Sequence, residues 1–306
     1  MADKLECLVT ITNKRSKRKQ RRKTELPNVF LFKVDLLKNI VTPISIQHKV
    51  MGNVIGMMGV CYYKNGYLIA AQKGKDPEIL EVDRDFKVKK IRKTSMVRGT
   101  HNISLVDDNT LLIASTSNQS VIEHNLQSGK ERCFHPNKPS TPDKIHLNSI
   151  LWHDNNLYFT AFGQKKSKLW LSATEGYLKN QTENKVLIKP IYQPHTIVAA
   201  DNTLYFCESA RAAVRTVTGQ VLEVKKGYTR GLIVTDDYIM VGISSGRVVS
   251  ESTGVIVESS NPGKAVGACG VMVYKKDKEN IANSKFLHFI SLERYAEEVY
   301  DLLLVK

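Results

Sequence analysis

Five segments of the chain align with one another without gaps. They are MGVCYYKNGYLIAA (58–71), NISLVDDNTLLIAS (102–115), NSILWHDNNLYFTA (148–161), HTIVAADNTLYFCE (195–208) and RGLIVTDDYIMVGI (230–243). Each has a leading residue, an apolar-rich run, a polar turn and a second apolar run. Asn, Asp and Gly between apolar runs accept the left-handed backbone of tight turns, so each segment reads as a β-hairpin. The starts at 58, 102, 148, 195 and 230 are 44, 46, 47 and 35 residues apart. A repeat of about 45 residues holds four short strands, the unit of a β-propeller.

The outer half of each unit also reads as a hairpin. VIEHNLQSGKERCF (121–134) turns at SG, VRTVTGQVLEV (214–224) turns at TG, and 168–191 has a longer connection. A fifth unit combines YIMVGI with GVMVYKKD (270–277) and FLHFISL (286–292), with an insertion at about 247–267. The ends supply one more: EEVYDLLLVK (297–306) as innermost strand, then CLVTITN (7–13), NVFLFKVD (28–35) and IVTPISI (40–46). The expectation is an all-β fold, a six-bladed β-propeller in one domain over residues 1–306, its closing blade made from N-terminal strands plus the C-terminal strand. The only helical candidates are EGYLKN and ERYAEEVY.

With 42% hydrophobic and 25% charged residues, the composition is that of a globular protein. No run approaches the ~20 apolar residues of a membrane-spanning helix, and the first residues lack the order of a signal peptide. The five cysteines (7, 61, 133, 207 and 269) are scattered and form no metal-binding spacing. The expected setting is reduced and cytoplasmic.

Six stretches occur in order: HLNSI (146–150), YFTAFG (158–163), QPHTI (193–197), GYTRGLIV (227–234), ACGVMVY (268–274) and EEVYDLLLV (297–305). Together they resemble a bacterial family of β-propeller proteins known as a domain of unknown function, whose members carry HLNG, PHS, FTRGL, CG and EE(I/L)YD signatures. The match runs from about residue 100 to the C-terminus and departs at HLNS and PHT. It implies the fold and brings no activity. A looser likeness, in the repeats alone, is to streptogramin lyases and gluconolactonase-like propellers, which use a divalent cation in the channel.

In a propeller the innermost strand of each blade lines the central channel, so the leading residues would share its mouth. The alignment makes that set Met58, Asn102, Asn148, His195, Arg230 and Asp301, with His101 and Tyr300 as neighbours. Glu208, at the end of the fourth hairpin, is a further candidate neighbour. Three uses are open. Asn148, His195 and Asp301 offer the nitrogen and oxygen ligands of a divalent cation such as Ca²⁺, Mg²⁺ or Mn²⁺. His195 or His101 as base, with Arg230 as anion holder, suits a lyase or hydrolase step. Asn102, Asn148, Asp301, His101 and Tyr300 suit binding of a small polar or anionic molecule. Against these stands a structural use, in which the polar groups satisfy strand ends or channel water and Arg230 pairs with Asp301 or Glu208. His146 and His153 are expected to be structural, and Trp152 and Trp170 to pack between blades.

The run KRSKRKQRRK (14–23) carries 8 of the net +15 charges. It reads as a solvated loop of the closing blade with salt-sensitive affinity for polyanions. Without aromatic interleaving it does not imply sequence-specific nucleic-acid binding. An interaction scaffold that holds an anionic partner through this loop and the blade faces is the alternative function.

Overall fold

The computed structural model describes residues 5–12, 25–26, 28–74, 76–136, 142–224, 227–245 and 268–306. The basic run 14–23 and the insertion at 247–267 lie outside the described residues. Twenty-four strands are described, and the only helices among the described residues are short 3₁₀ segments of three to five residues.

The strands follow the hairpins of the sequence. In chain order they begin with β1 (Glu6–Thr12), β2 (Leu31–Asp35) and β3 (Ile40–Ile44), then β4 (Gly56–Tyr63), β5 (Gly66–Gln72), β6 (Glu78–Asp83) and β7 (Val88–Lys93). The next four are β8 (Thr100–Asp107), β9 (Thr110–Ser115), β10 (Ser120–Asn125) and β11 (Glu131–His135). Then come β12 (Leu147–His153), β13 (Asn156–Ala161), β14 (Gly176–Asn180) and β15 (Lys185–Ile191). They are followed by β16 (Pro194–Ala200), β17 (Thr203–Glu208), β18 (Ala213–Thr216) and β19 (Val221–Glu223). The last are β20 (Tyr228–Val234), β21 (Tyr238–Ser244), β22 (Gly270–Lys275), β23 (Lys285–Ser291) and β24 (Glu298–Leu304).

Strands β8–β11, β12–β15, β16–β19 and β20–β23 form four separate antiparallel sheets of four strands each. The remaining eight strands are joined more loosely. β1 pairs with β2 on one edge and with β24 on the other, and among the described residues its one strand pairing with β4 is Thr12 opposite Gly56. β4–β7 then continue as a meander. The result is an all-β, propeller-like array of four-stranded sheets.

Burial explains why the second strand of each unit reads as an unbroken apolar run. Every residue of GYLIAAQ in β5 is buried, because both faces of a middle strand are covered by neighbouring sheets. Outer strands are half exposed, as in KVLIKPI of β15. The core lies in layers between consecutive sheets. Leu68 and Ile79 pack with Ile113 and Ile122; Leu112 and Val121 with Leu157 and Phe159; Leu178 and Ile191 with Ile197 and Phe206; and Val214 and Leu222 with Ile239 and Val241.

Two expectations need correction. EGYLKN is not helical: Gly176–Asn180 alternates buried and half-buried residues as β14, the period-2 pattern of a strand. ERYAEEVY forms a turn that leads into β24.

Candidate functional site

The first strand of every unit carries a β-bulge at the same height. Strand pairing skips Met58–Gly59 in β4, His101–Asn102 in β8, Asn148 in β12, Thr196 in β16, Arg230–Gly231 in β20 and Tyr300 in β24. A bulge places two residues opposite one and re-aims their side chains. The two residues around each bulge have different fates, and these define two sets.

One set holds neighbouring sheets together. Asp301 Oδ2 accepts from Val60 N at 3.2 Å, Asn102 Oδ1 from Ile150 N at 3.1 Å, Ser149 Oγ from Ile197 N at 3.0 Å and Thr196 Oγ1 from Gly231 N at 3.0 Å. Gly59 and Gly231 occupy the equivalent position with no side chain. A Cβ there would stand 2.6 Å from Ile103 N in one case and 3.1 Å from Leu302 N in the other. This strut set is Gly59, Asn102, Ser149, Thr196, Gly231 and Asp301. A second tier of struts joins the end of one hairpin to the next first strand: Thr116 Oγ1 donates to Leu147 O, Ser209 Oγ to Thr229 O and Ser244 Oγ to Val299 O.

The other set, the rim set, lies one residue earlier: Met58, His101, Asn148, His195, Arg230 and Tyr300. Four of these six join a closed circuit of ring contacts. Tyr300 meets His101 at 5.5 Å between centroids, His101 meets His146 at 5.2 Å, and His146 meets Phe162 at 4.6 Å. Phe162 meets His195 at 5.2 Å, and His195 meets Tyr228 at 5.2 Å. The Arg230 guanidinium closes the circuit between Tyr228 at 5.5 Å and Tyr300 at 4.7 Å. Cations over aromatic faces in this range are attracted by the ring quadrupole.

The ungapped alignment therefore mixes the two sets. It reads Met58, Asn148, His195 and Arg230 at the rim position but Asn102 and Asp301 from the strut position, one residue too far along. In β8 the cause is a second bulge at Val106, between Leu105 and Asp107, which inserts a residue between the turn and the rim. Among the described residues β24 leads into no hairpin turn from which to count. His101 and Tyr300 hold the rim positions there.

At the rim the electrostatics are unusual. His195, 3% exposed, is held by two contacts from Nδ1, to Ser209 Oγ at 2.7 Å and Gln193 O at 3.1 Å. The Gln193 carbonyl only accepts and Ser209 donates to Thr229 O, so Nδ1 carries the proton. Nε2 is then a bare lone pair, buried without a hydrogen-bond partner. Burial, followed by the nearby charge of Arg230, holds the imidazole well below its usual titration range, which keeps it neutral. Asn148 Nδ2 and Arg230 Nε are likewise buried without hydrogen bonds, and Arg230 Nη1 reaches Glu298 only at 3.8 Å.

Asp301 differs in kind. Its carboxylate accepts from Val60, Leu302 and Asn102, yet burial outweighs these bonds and pushes its pKa up to about 7. These bonds occupy the oxygens offered to a cation with Asn148 and His195. Among the described residues no group of three or more His, Cys, Asp or Glu is arranged to hold a metal. Glu208 is engaged by other partners: it accepts from Tyr192 N and pairs with Arg215 at 3.0 Å. The partner of Arg230 is accordingly Glu298, neither Asp301 nor Glu208.

Four residues of the circuit and its wall were not among the sequence candidates for the site: His146, Phe162, Trp170 and Tyr228. Trp170 packs on His146 at 4.5 Å instead of serving between sheets, whereas Trp152 meets Phe134 of the preceding sheet. Three of the four fall inside HLNSI, YFTAFG and GYTRGLIV, the signature stretches, which was the available signal. A cleft of about 750 Å³ lies elsewhere, on the outer strands, lined by residues that include Asn39, Phe289 and Arg294. Cys207, fully buried, has its thiol pushed up to about 12 and is unsuited to nucleophilic work.

The family model described as "Domain of unknown function (DUF4915)" matches residues 62–306. The chain belongs to this family. No curated protein matches it. Among solved structures it is similar to a chain of a nidogen/laminin complex, with 11% identity over 98% of each chain and a TM-score of 0.61. It is also similar to a protein proposed as a 6-phosphogluconolactonase from Bacteroides fragilis: 11% identity, 100% and 99% covered, TM-score 0.56. A protein of unknown function from Bacteroides caccae matches at 10% identity, 99% and 100% covered, TM-score 0.58. At these identities the likeness establishes the propeller-like fold and nothing about chemistry. Among the described residues no helix is long and apolar enough to cross a membrane.

Proposed function

We propose that the array closes into a six-bladed ring and that the circuit of rim side chains binds a small anionic molecule. The count follows from splitting the eight-stranded sheet at its single Thr12–Gly56 link into β24–β1–β2–β3 and β4–β7. The Asp301–Val60 bond then joins the closing sheet to its neighbour.

The observation that carries the binding reading is the set of buried, unpartnered polar atoms at the rim: Arg230 Nε, Asn148 Nδ2 and His195 Nε2. Buried polar groups are paired in the great majority of proteins, and leaving one unpaired costs roughly 1–3 kcal/mol. A ligand that satisfies them recovers that cost. Arg230 supplies the positive charge, and the rings shield it from water, which strengthens its hold on an anion.

A second use of the same residues is a lyase or hydrolase step in which His195 Nε2 takes a proton from the bound molecule. The fixed tautomer favours it, since a base must present its lone pair toward the substrate, whereas burial beside Arg230 makes the imidazole a weak base. A divalent cation has less support, because Asp301 is engaged by Val60, Leu302 and Asn102.

The test is calorimetric titration of the protein with inorganic phosphate, citrate and a neutral polyol. Anions are expected to bind and the polyol not, and Arg230→Met is expected to weaken the anion at least about tenfold. Equal binding by a folded Arg230→Met protein, or no binding of any anion, would end this reading.

A further inference from the structure

The unsatisfied atoms at the rim are not interchangeable, and their types restrict what can fill the site. Arg230 Nε and Asn148 Nδ2 are donors and call for acceptor oxygens. His195 Nε2 is the opposite: with the proton fixed on Nδ1 by Gln193 O and Ser209, it can only accept. A simple carboxylate or fully ionised phosphate has acceptors alone. It would suit Arg230 and leave its own lone pairs facing that of His195. One functional group answers both remaining atoms: a hydroxyl donates its hydrogen to one neighbour and accepts from another. Asn148 and His195 sit at the same bulge position of adjacent strands, which are tied by the bond from Ile197 N to Ser149 Oγ. Arg230 lies beyond His195 on the next strand, near enough that its charge depresses the imidazole.

Resting on the anion-binding reading, we infer that the ligand class is a hydroxy acid. Its carboxylate lies against Arg230, and a hydroxyl donates to His195 Nε2 while accepting from Asn148 Nδ2. The flanking rings of Phe162, Tyr228 and Tyr300 suit the C–H faces of a short, hydroxyl-bearing carbon chain. The discrimination follows from the same chemistry. An analogue without the hydroxyl buries the His195 lone pair and the Asn148 amide without partners, a loss that a site built to bind a hydroxyl turns into strong rejection.

The experiment compares acids matched in carbon skeleton and charge by calorimetric titration at pH 7.5: tartrate against succinate, and gluconate against hexanoate. The expected result is that at least one hydroxy acid binds tenfold or more tightly than its deoxy partner. Asn148→Ala should narrow that ratio by weakening the hydroxy acid, while the deoxy acid, relieved of an orphaned amide, binds no more weakly than before. If succinate or hexanoate binds as well as its hydroxylated partner, the hydroxy-acid assignment is overturned and anion binding stands. If phosphate binds and none of the four acids does, the assignment is again overturned. If no anion binds at all, both readings fall together.

Discussion

The backbone N–H of Val60 donates to the carboxylate of Asp301, 241 residues further along the chain, across 3.2 Å. The bond places an acid with almost no access to water between the last strand and β4. The consequence is a contribution to stability from Asp301 that falls as pH rises through the neutral range. Asp301 has its folded pKa at about 7, well above an unfolded value near 3.9. Between those values the folded state holds a proton that the unfolded state has released. The contribution is complete below about pH 4 and is lost as pH rises to about 7, by up to about 4 kcal/mol. Asp301→Asn cannot ionise, so its deficit against the native protein should shrink from pH 4.5 to pH 8. Urea unfolding of both proteins at the two pH values measures this, and a constant deficit would refute it.

The strut set makes a separate prediction. Ser149→Ala and Thr196→Val remove the acceptors of buried Ile197 N–H and Gly231 N–H. Each should cost about 1–3 kcal/mol, the penalty for an orphaned buried donor. Gly59→Ala and Gly231→Ala fail for the opposite reason, since a methyl group meets backbone or side-chain atoms within 3 Å. Gly231 also has φ +70°, which adds about 1–2 kcal/mol for any other residue. Chemical denaturation should therefore rank Gly231→Ala at least as damaging as Thr196→Val; the reverse order would show that the sheets shift freely against one another.

What was legible in the sequence, and what was not, follows from the same bulges. Hairpins such as 195–208 announce themselves because Asp201 and Asn202, both with positive φ, supply the turn between apolar runs. The pairing of β24 with β1 was legible because a C-terminal apolar strand and N-terminal strands were left over from the repeat. Which of two adjacent residues faces the rim was not. Side-chain direction alternates every residue, so one inserted residue at Val106 exchanges His101 for Asn102. Phe162, Trp170 and Tyr228 escaped because they reach the rim from outside the aligned slot, where a repeat gives no register to count from.

Glu208 separates structural charge from rim charge. Its side chain is 2% exposed and is engaged by Arg215, Arg211 and the N–H of Tyr192. Glu208→Ala leaves the half-buried Arg215 guanidinium without its acidic partner, which costs about 1–3 kcal/mol. Thermal unfolding should drop accordingly, while anion affinity at the rim stays within about twofold at a temperature where the variant is folded. A large loss of affinity in the folded variant would place Glu208 in the site.

His195 supplies the prediction that reaches closest to chemistry. Its imidazole is neutral because protonation would put a charge into a buried place beside Arg230. The unfolded chain gains a proton below about pH 6.5 that the folded state refuses. The histidine therefore withdraws stability as pH falls through that value, opposite in direction to Asp301. Nitrogen chemical shifts of the labelled ring should report Nδ1 protonated and Nε2 bare at pH 7, and should stay so at pH 6. Ser209→Ala removes one of the two contacts that fix the tautomer and also the strut to Thr229 O. In that variant the Nε2–H form should become detectable, and any discrimination between a hydroxy acid and its deoxy partner should narrow with it. A ring that is already protonated on Nε2 in the native protein would leave no lone pair for a ligand hydroxyl. That result would remove His195 from both the recognition of a hydroxyl and the proposed proton transfer.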